Sequence, residues 1–216
     1  MKRIFFFVDG GASLLLLYAS IRNRSADLFY VLAVAGMLTV WHNLEAAQKR
    51  RLAAADPSLP DYPGGQAWPQ AAFAGVLVVC ALDRMRLLES WCACSAVLAG
   101  HTAGIIGLSL FAGGIAVRLA AIRTLGIEFL RPPGQNHRRI QAGLYRYLRH
   151  PAGWGLLAIS GGIALGWGSA WGLLAVFVLL LPSLLYVHNF EEKASQVTVM
   201  AAGTALAGAQ PGEVGA

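Results

Sequence analysis

Residues 151–188 read PAGWGLLAISGGIALGWGSAWGLLAVFVLLLPSLLYVH and contain no charged side chain. The pair Gly168-Ser169 divides the stretch into two apolar segments, 153–168 and 170–188. Glycine permits the backbone conformations that a tight turn needs, so this pair predicts a turn. Proline is favoured at the first position of a helix, where its missing N–H would be unpaired anyway, so Pro151 predicts a helix start. The stretch therefore predicts a helical hairpin.

Apolar segments of this kind recur along the chain. Of its 216 residues, 56% are hydrophobic and 13% are charged, whereas a soluble domain carries about 25% charged residues. A span needs about 20 apolar residues, and such continuous runs are typical of helices in lipid. The sequence predicts an all-α integral membrane protein, a polytopic bundle of five to six transmembrane helices with a C-terminal helical hairpin. Within it, Gly113 and Gly114 predict a close helix contact. The six segments are residues 4–21, 28–44, 70–88, 91–117, 153–168 and 170–188.

The net charge of +6 comes from cations that lie beside the apolar segments. No basic helix with interleaved aromatic residues is present in the sequence, so nucleic acid is not an expected partner. A cytoplasmic N-terminus places most of the 17 cations on the cytoplasmic side, as the positive-inside rule requires. The excess of arginine over lysine favours a bacterial source, and we expect the inner membrane, with the active site facing the cytoplasm. The cytoplasmic cations are Lys2, Arg3, Lys49, Arg50, Arg51, the seven arginines from Arg118 to Arg149, and Lys193.

Three regions are expected along the chain. Residues 1–27 predict an additional N-terminal transmembrane helix, residues 28–193 the core, and residues 194–216 a flexible C-terminal tail. Inside the core, residues 45–69 predict a polar loop, because four prolines oppose regular structure near its end. The three cysteines fall inside apolar segments without metal-ligand spacing, so no metal is expected. The prolines are Pro57, Pro60, Pro63 and Pro69.

Charged residues collect where the two ends of the hairpin would meet. The helix that begins at Pro151 directs its N-terminal amides towards the cytoplasmic face, and Arg149 and His150 add donors there. Such a helix end attracts anions. Glu191 and Glu192 end the second helix, where the helix dipole is already negative. A positive and a negative end side by side suit a zwitterion such as S-adenosylmethionine.

Two tyrosines, Tyr145 and Tyr147, precede this cluster. Their rings are suited to flank an adenine or to face a sulfonium through the ring quadrupole. A second interpretation of the same residues stays open. In it the arginines anchor to lipid headgroups, the tyrosines lie in the interfacial aromatic belt, and the acids are simply solvated.

The order of these motifs resembles the isoprenylcysteine carboxyl methyltransferase family, which shares its core with membrane phospholipid N-methyltransferases. The resemblance rests on Gly143-x-Tyr145-x-x-Leu148-Arg149-His150-Pro151, the glycine-rich hairpin and the Glu pair, and it covers about residues 28–193. The stretch from Arg118 to Gly126 is also similar. The resemblance implies a methyltransferase that uses S-adenosyl-L-methionine and acts on a lipophilic small molecule from the bilayer. We expect Arg149, His188, Glu191 and Glu192 as catalytic residues, and Tyr145, Leu148, His150, Pro151, Gly155 and Glu191 as cofactor-binding residues.

The sequence departs from the family pattern at three places. Gly153 stands where the family usually has Tyr, with Trp154 beside it. The family's amphipathic tail with Gly and Tyr has no counterpart after Glu192. Residues 4–21 are additional to the usual five helices.

The acceptor's polar tip is expected to be a carboxylate, a phenol or an amine. A carboxylate is ionised at neutral pH and needs no general base, whereas a phenol or an amine must lose a proton. His188 or a glutamate is the expected base. Two alternatives are a non-catalytic membrane protein that retains the fold and an NADPH-dependent membrane reductase.

Overall fold

The regular structure of the described residues is entirely helical. The computed structural model describes residues 28–55, 64–85, 87, 100–130, 142–190 and 193. The all-α prediction is confirmed for these residues. The predicted helix over 4–21 and the tail 194–216 lie outside them. The helices are α1 (Leu28–Ala55), α2 (Gly64–Arg84), α3 (His101–Leu125), α4 (Pro151–Gly166) and α5 (Ala170–Phe190), with 3₁₀ turns at Gly126–Leu130 and Gly143–Arg146.

Both α1 and α2 extend into residues 45–69, which the sequence predicted to be a polar loop. α1 continues to Ala55 because residues 45–55, EAAQKRRLAAA, are strong helix formers throughout. α2 begins at Gly64 and contains Pro69 as its sixth residue, where the missing N–H removes one backbone hydrogen bond without ending the helix. The loop prediction was therefore wrong over most of its length.

The predicted hairpin is present, with α4 beginning at Pro151. Gly168 has a positive φ of 62°, which favours glycine. Ser169 caps α5, since its hydroxyl oxygen accepts a 2.8 Å hydrogen bond from the Gly172 amide. The same hydroxyl donates to the Asp83 carboxylate of α2 at 2.6 Å. The turn is thereby attached to the C-terminal end of α2.

The contact between α3 and α4 is the most extensive one between helices in the described residues. Their backbones meet at glycines: a Cβ atom added at Gly114 would lie 2.7 Å from the Ile159 nitrogen, and one at Gly162 would lie 2.5 Å from the Phe111 nitrogen. Only glycine permits this approach. Gly113 is exposed and faces no described neighbour within 4 Å. The predicted close contact is confirmed for Gly114, whereas Gly113 points away from α4, because adjacent helical residues point about 100° apart.

The helix directions gather cations at one end of the bundle. α1 and α3 run parallel, since Tyr30 contacts His101 and Glu45 contacts Arg118. α4 runs antiparallel to α3, because Gly155 lies against Arg118 whereas Gly166 lies near the start of α3. We call the resulting end of the bundle the cation-rich end. It carries Lys49, Arg50, Arg51, Arg118, Arg123, Arg146 and Arg149.

Two described helical stretches are long and apolar enough to cross a membrane, His101–Leu130 and Ala170–Phe190. α4 is also apolar but shorter. The start of α3 at His101 lies ten residues after the predicted segment start, and residues 91–99 are outside the described part. The count of five to six spans stays a prediction.

Candidate functional site

The segment that leads into α4 is attached to the end of α3. Gly143 has a φ of +56°, and a Cβ atom added there would lie 3.1 Å from the Thr124 hydroxyl oxygen. The Leu144 carbonyl then accepts hydrogen bonds from the amides of Tyr147 and Leu148, at 3.1 and 3.0 Å. Glycine is needed both for the positive φ and for the approach to Thr124. These contacts restrain the backbone immediately before the Tyr147-Leu148-Arg149-His150-Pro151 sequence.

The side chains of this segment differ in exposure. Tyr147 is 80% exposed and Leu148 is 40% exposed, whereas Tyr145 is partly buried. Arg149 is exposed and forms no ion pair within the described residues. Arg149 lies two residues before Pro151, the first residue of α4. Among the described residues, Arg149 is therefore the cation at this helix start that is open to an added anion.

The start of α4 lies next to the end of α5. The rings of His150 and His188 are 3.8 Å apart between centroids, at an interplanar angle of 63°. A second contact supports the first, because a Cβ atom added at Gly153 would lie 3.7 Å from Leu184 Cδ2. Helix ends with opposite partial charges are therefore adjacent, as the hairpin predicted.

His188 also carries a buried atom with unused hydrogen-bonding capacity. Its Nδ1 atom is buried and has no hydrogen-bond partner among the described residues. Buried polar atoms of this kind are uncommon and call for a ligand, a water or a function. Glu191 and Glu192, which follow α5 directly, lie outside the described residues, so their predicted roles stay predictions.

α5 reaches His188 through a π turn at Val176–Leu180. The Leu181 amide donates to the Val176 carbonyl, five residues earlier. A π turn holds more residues than an α turn and shifts the face on which later residues lie. The π turn therefore takes part in directing His188 towards His150.

A buried ion pair lies at the cation-rich end, beside the start of α4. Arg118 of α3 donates from Nε and Nη2 to the two carboxylate oxygens of Glu45, at 2.8 and 2.9 Å. Its third nitrogen, Nη1, donates to the Ala152 carbonyl of α4 at 3.1 Å. Lys49 also pairs with Glu45 at 2.8 Å. One guanidinium thus connects α1, α3 and α4.

The carboxyl of Glu45 lies just past the apolar segment 28–44 and outside both candidate spans. Burial by itself raises the pKa of this carboxyl, but the charges of Arg118 and Lys49 lower the pKa by more than burial raises it. The net effect holds the pKa of Glu45 well below its usual range. Glu45 is therefore ionised at neutral pH, and the contact is a true ion pair.

Gly155 was predicted to bind the cofactor, and the structure places it against Arg118. A Cβ atom added at Gly155 would lie 2.8 Å from Arg118 Cβ and 2.9 Å from the Arg118 nitrogen. Among the described residues, Gly155 lets α4 pack closely against α3. This close packing brings Arg118 within hydrogen-bonding distance of the Ala152 carbonyl. A cofactor contact of Gly155 remains a prediction, as do those of Tyr145, Leu148, His150 and Pro151.

The sequence did not predict Glu45 as a site residue, and Arg118 was expected only as a cytoplasmic cation within the stretch that resembles the family. A signal was present, because Arg118 is a cation within an apolar helix and such residues usually have a partner or a function. The partner is 73 residues away in the chain, and composition cannot identify it.

Comparison with known proteins finds a family model that is similar to this part of the chain. Residues 102–206 match the model of the phospholipid methyltransferase family. The match includes α3 from its second residue, α4, α5 and the Glu pair, whereas α1 and α2 precede it. No curated protein and no solved structure matches the chain. Residues 102–206 are therefore similar to the phospholipid methyltransferase family, that of the isoprenylcysteine carboxyl methyltransferase-like membrane methyltransferases.

Proposed function

We propose that this protein is an S-adenosyl-L-methionine-dependent methyltransferase that modifies the polar tip of a small lipophilic acceptor. The family match indicates a membrane methyltransferase, and the cofactor and the acceptor are the proposal. The observation that carries it is the contact between His150 and His188, 3.8 Å between ring centroids. This contact brings the positive start of α4 to the end of α5 that leads into the Glu pair.

The described residues at the start of α4 fit the carboxylate end of a zwitterionic cofactor. The exposed guanidinium of Arg149 and the first amides of α4 are suited to the cofactor's carboxylate. Glu191 and Glu192, which lie outside the described residues, are proposed to bind its amino group. Tyr145 and His150 lie along the same segment and are proposed to border the cofactor, together with Leu148, Pro151 and Gly155. When bound, S-adenosyl-L-methionine supplies a methyl group on a positively charged sulfur.

The residues of the chain contribute alignment, exclusion of water and a proton acceptor. Alignment of acceptor and donor removes much of the entropic barrier to an in-line displacement. The buried Nδ1 of His188, which has no partner among the described residues, is suited to accept a proton. A proton acceptor is of use only for a phenol or an amine, so His188 favours these acceptors over a carboxylate. The ring of His150 would keep that of His188 in orientation.

The acceptor would arrive from the bilayer. Trp154 is 58% exposed and Leu148 is 40% exposed, and both flank Arg149 and Pro151. Apolar surface next to a charged site suits a molecule with a lipid tail and a polar tip. By the positive-inside rule, we propose that the cation-rich end faces the cytoplasm of a bacterium, with the protein in its inner membrane.

The division of the chain is part of the same proposal. Residues 28–193 would form the catalytic core, with residues 1–27 as an added helix and residues 194–216 as a tail. The family match continues to residue 206, which is 13 residues beyond the end of this core.

The test uses the full chain in lipid nanodiscs. Calorimetry with S-adenosylhomocysteine and, separately, with NADPH should show binding of the first alone. Methyl-labelled S-adenosyl-L-methionine and a bacterial lipid extract should then give a labelled lipophilic product. Binding of NADPH instead would favour a reductase, and binding of neither, with no labelled product, would reject the proposal.

A further inference from the structure

The ion pair between Glu45 and Arg118 lies outside the residues considered above for cofactor and acceptor. We infer that Glu45 is a positioning residue for methyl transfer, acting through Arg118 on the first turn of α4. The inference rests on the proposed function. It assigns a role to α1, which precedes the family-matched segment 102–206.

The first step is that Glu45 fixes the orientation of the Arg118 guanidinium. Two of its nitrogens are occupied by the Glu45 carboxylate, at 2.8 and 2.9 Å, and the third by the Ala152 carbonyl, at 3.1 Å. A guanidinium presents its donors in a rigid plane, so fixing two of them fixes the direction of the third. Glu45 therefore determines where Arg118 holds Ala152.

The second step is that the hydrogen bond to the Ala152 carbonyl restrains the first turn of α4. Ala152 lies three residues after Arg149 and two after His150, in the first turn of α4. In the same turn, the His150 carbonyl accepts hydrogen bonds from the amides of Gly153 and Trp154, at 3.1 and 3.2 Å. Holding the Ala152 carbonyl thus restrains the turn that presents Arg149 and His150 to the proposed cofactor.

The close packing of α3 against α4 does not depend on Glu45, so the loss of its carboxylate should act mainly on the first turn of α4. Gly114 lies against Ile159 and Gly162 against Phe111, and these backbone contacts do not involve Glu45. Without the carboxylate, the Arg118 backbone would stay in place while its side chain, 10% exposed, would lose its charge partner. The guanidinium would then turn towards another acceptor, and the start of α4 would lose its restraint.

The experiment compares four variants of the full chain in nanodiscs. Glu45→Gln removes the charge that directs Arg118, and Arg118→Lys keeps the charge but cannot form the fork. Glu45→Gln/Arg118→Gln leaves no unpaired buried charge at these two positions, and it serves if a single variant does not fold. Arg123→Gln, an exposed cation on the same helix, is the matched control.

Two readouts are measured for each variant. The first is KM for S-adenosyl-L-methionine together with kcat, and the second is hydrogen–deuterium exchange of the backbone amides. We expect the first three variants to raise KM by about tenfold or more, with a smaller change in kcat, because the binding turn is misplaced. Exchange should rise more in residues 150–156 than in residues 107–114, which report the global stability of the bundle. Arg123→Gln should match the wild type in both readouts.

The outcomes separate the inference from the proposed function. Wild-type KM and exchange in Glu45→Gln would overturn the inference alone. A uniform rise in exchange that includes residues 107–114 would also overturn it, because the pair would then support the whole bundle. A wild-type protein that neither binds S-adenosylhomocysteine nor transfers methyl would overturn the proposed function and the inference together.

Discussion

His150 and His188 meet edge to face, with 3.8 Å between their ring centroids, although 38 positions separate them in the chain. His150 immediately precedes α4, and His188 lies two residues before the last residue of α5. The start of α4 carries a partial positive charge and the end of α5 a partial negative charge. The charge pattern of the site is therefore a property of the hairpin, and not of one residue.

The first prediction concerns the charges that would hold the cofactor. Arg149→Ala and Glu192→Gln should each lower kcat/KM by about 10-fold to 100-fold, because each removes a hydrogen bond to a charged group. Steady-state assays with labelled S-adenosyl-L-methionine measure this. Arg146→Ala, an exposed arginine in the preceding 3₁₀ turn, is the control and should keep wild-type activity. Full activity of either test variant would exclude that residue from the site.

The second prediction concerns the acceptor. His188→Phe keeps a ring beside His150 but removes the proton acceptor, so kcat with a phenol or amine should fall about 10²-fold or more. KM for the cofactor should change little. Tyr186→Phe, on an exposed residue of the same helix, is the control. An unchanged kcat in His188→Phe would point to a carboxylate acceptor and contradict the proposed role.

The third prediction compares two adjacent glycines of α3. Gly114→Ala would place a Cβ atom 2.7 Å from the Ile159 nitrogen and 2.8 Å from the Gly155 carbonyl oxygen. Such overpacking costs about 1–3 kcal/mol, so Tm should fall by several degrees. Gly113→Ala meets no described atom within 4 Å and should leave Tm unchanged or slightly raised. Equal effects of the two substitutions on thermal unfolding in detergent would contradict the α3–α4 contact.

The fourth prediction concerns pH and the Glu45 ion pair. The pKa of Glu45 is lower in the folded protein than its ordinary value, so the pair stabilises the fold fully above the unfolded pKa of about 4.3. This contribution is lost as the pH falls towards the folded value. Glu45→Gln should lower the free energy of unfolding by about 3 kcal/mol at neutral pH, since the buried Arg118 loses its charge partner.

The difference in Tm between the wild type and Glu45→Gln should therefore stay constant from about pH 8 to about pH 5.5 and narrow below about pH 4. Thermal unfolding of both proteins across this range measures it. The control Arg123→Gln should follow the wild type at each pH. A difference that widens as the pH falls would contradict the sign of the pKa shift.

Local signals in the sequence predicted a large part of the fold. Pro151 marks the start of α4, and Gly168 with Ser169 forms the turn of the hairpin, because each acts on its own backbone or that of its neighbours. The loop at 45–69 was mispredicted for a related reason. The helix-forming residues 45–55 extend α1 up to the prolines, and α2 accommodates Pro69 although its missing N–H removes one backbone hydrogen bond.

The site was predictable only in part. Arg149, His150 and Pro151 follow one another in the chain, so their shared position at a helix start could be inferred directly. The pairing of Arg118 with Glu45 could not, because the two residues lie on different helices. The separate roles of Gly113 and Gly114 were equally hidden, since they depend on which face of α3 meets α4.

By itself the sequence determined the helical class, the apolar segments, the start of α4 and the turn of the hairpin, because these depend on backbone preferences and hydrophobicity over a few neighbouring residues. Only the tertiary structure decided that Glu45 directs Arg118 onto Ala152 and that His188 faces His150. Those relationships depend on the rotation and close approach of whole helices, and packing between distant residues sets both.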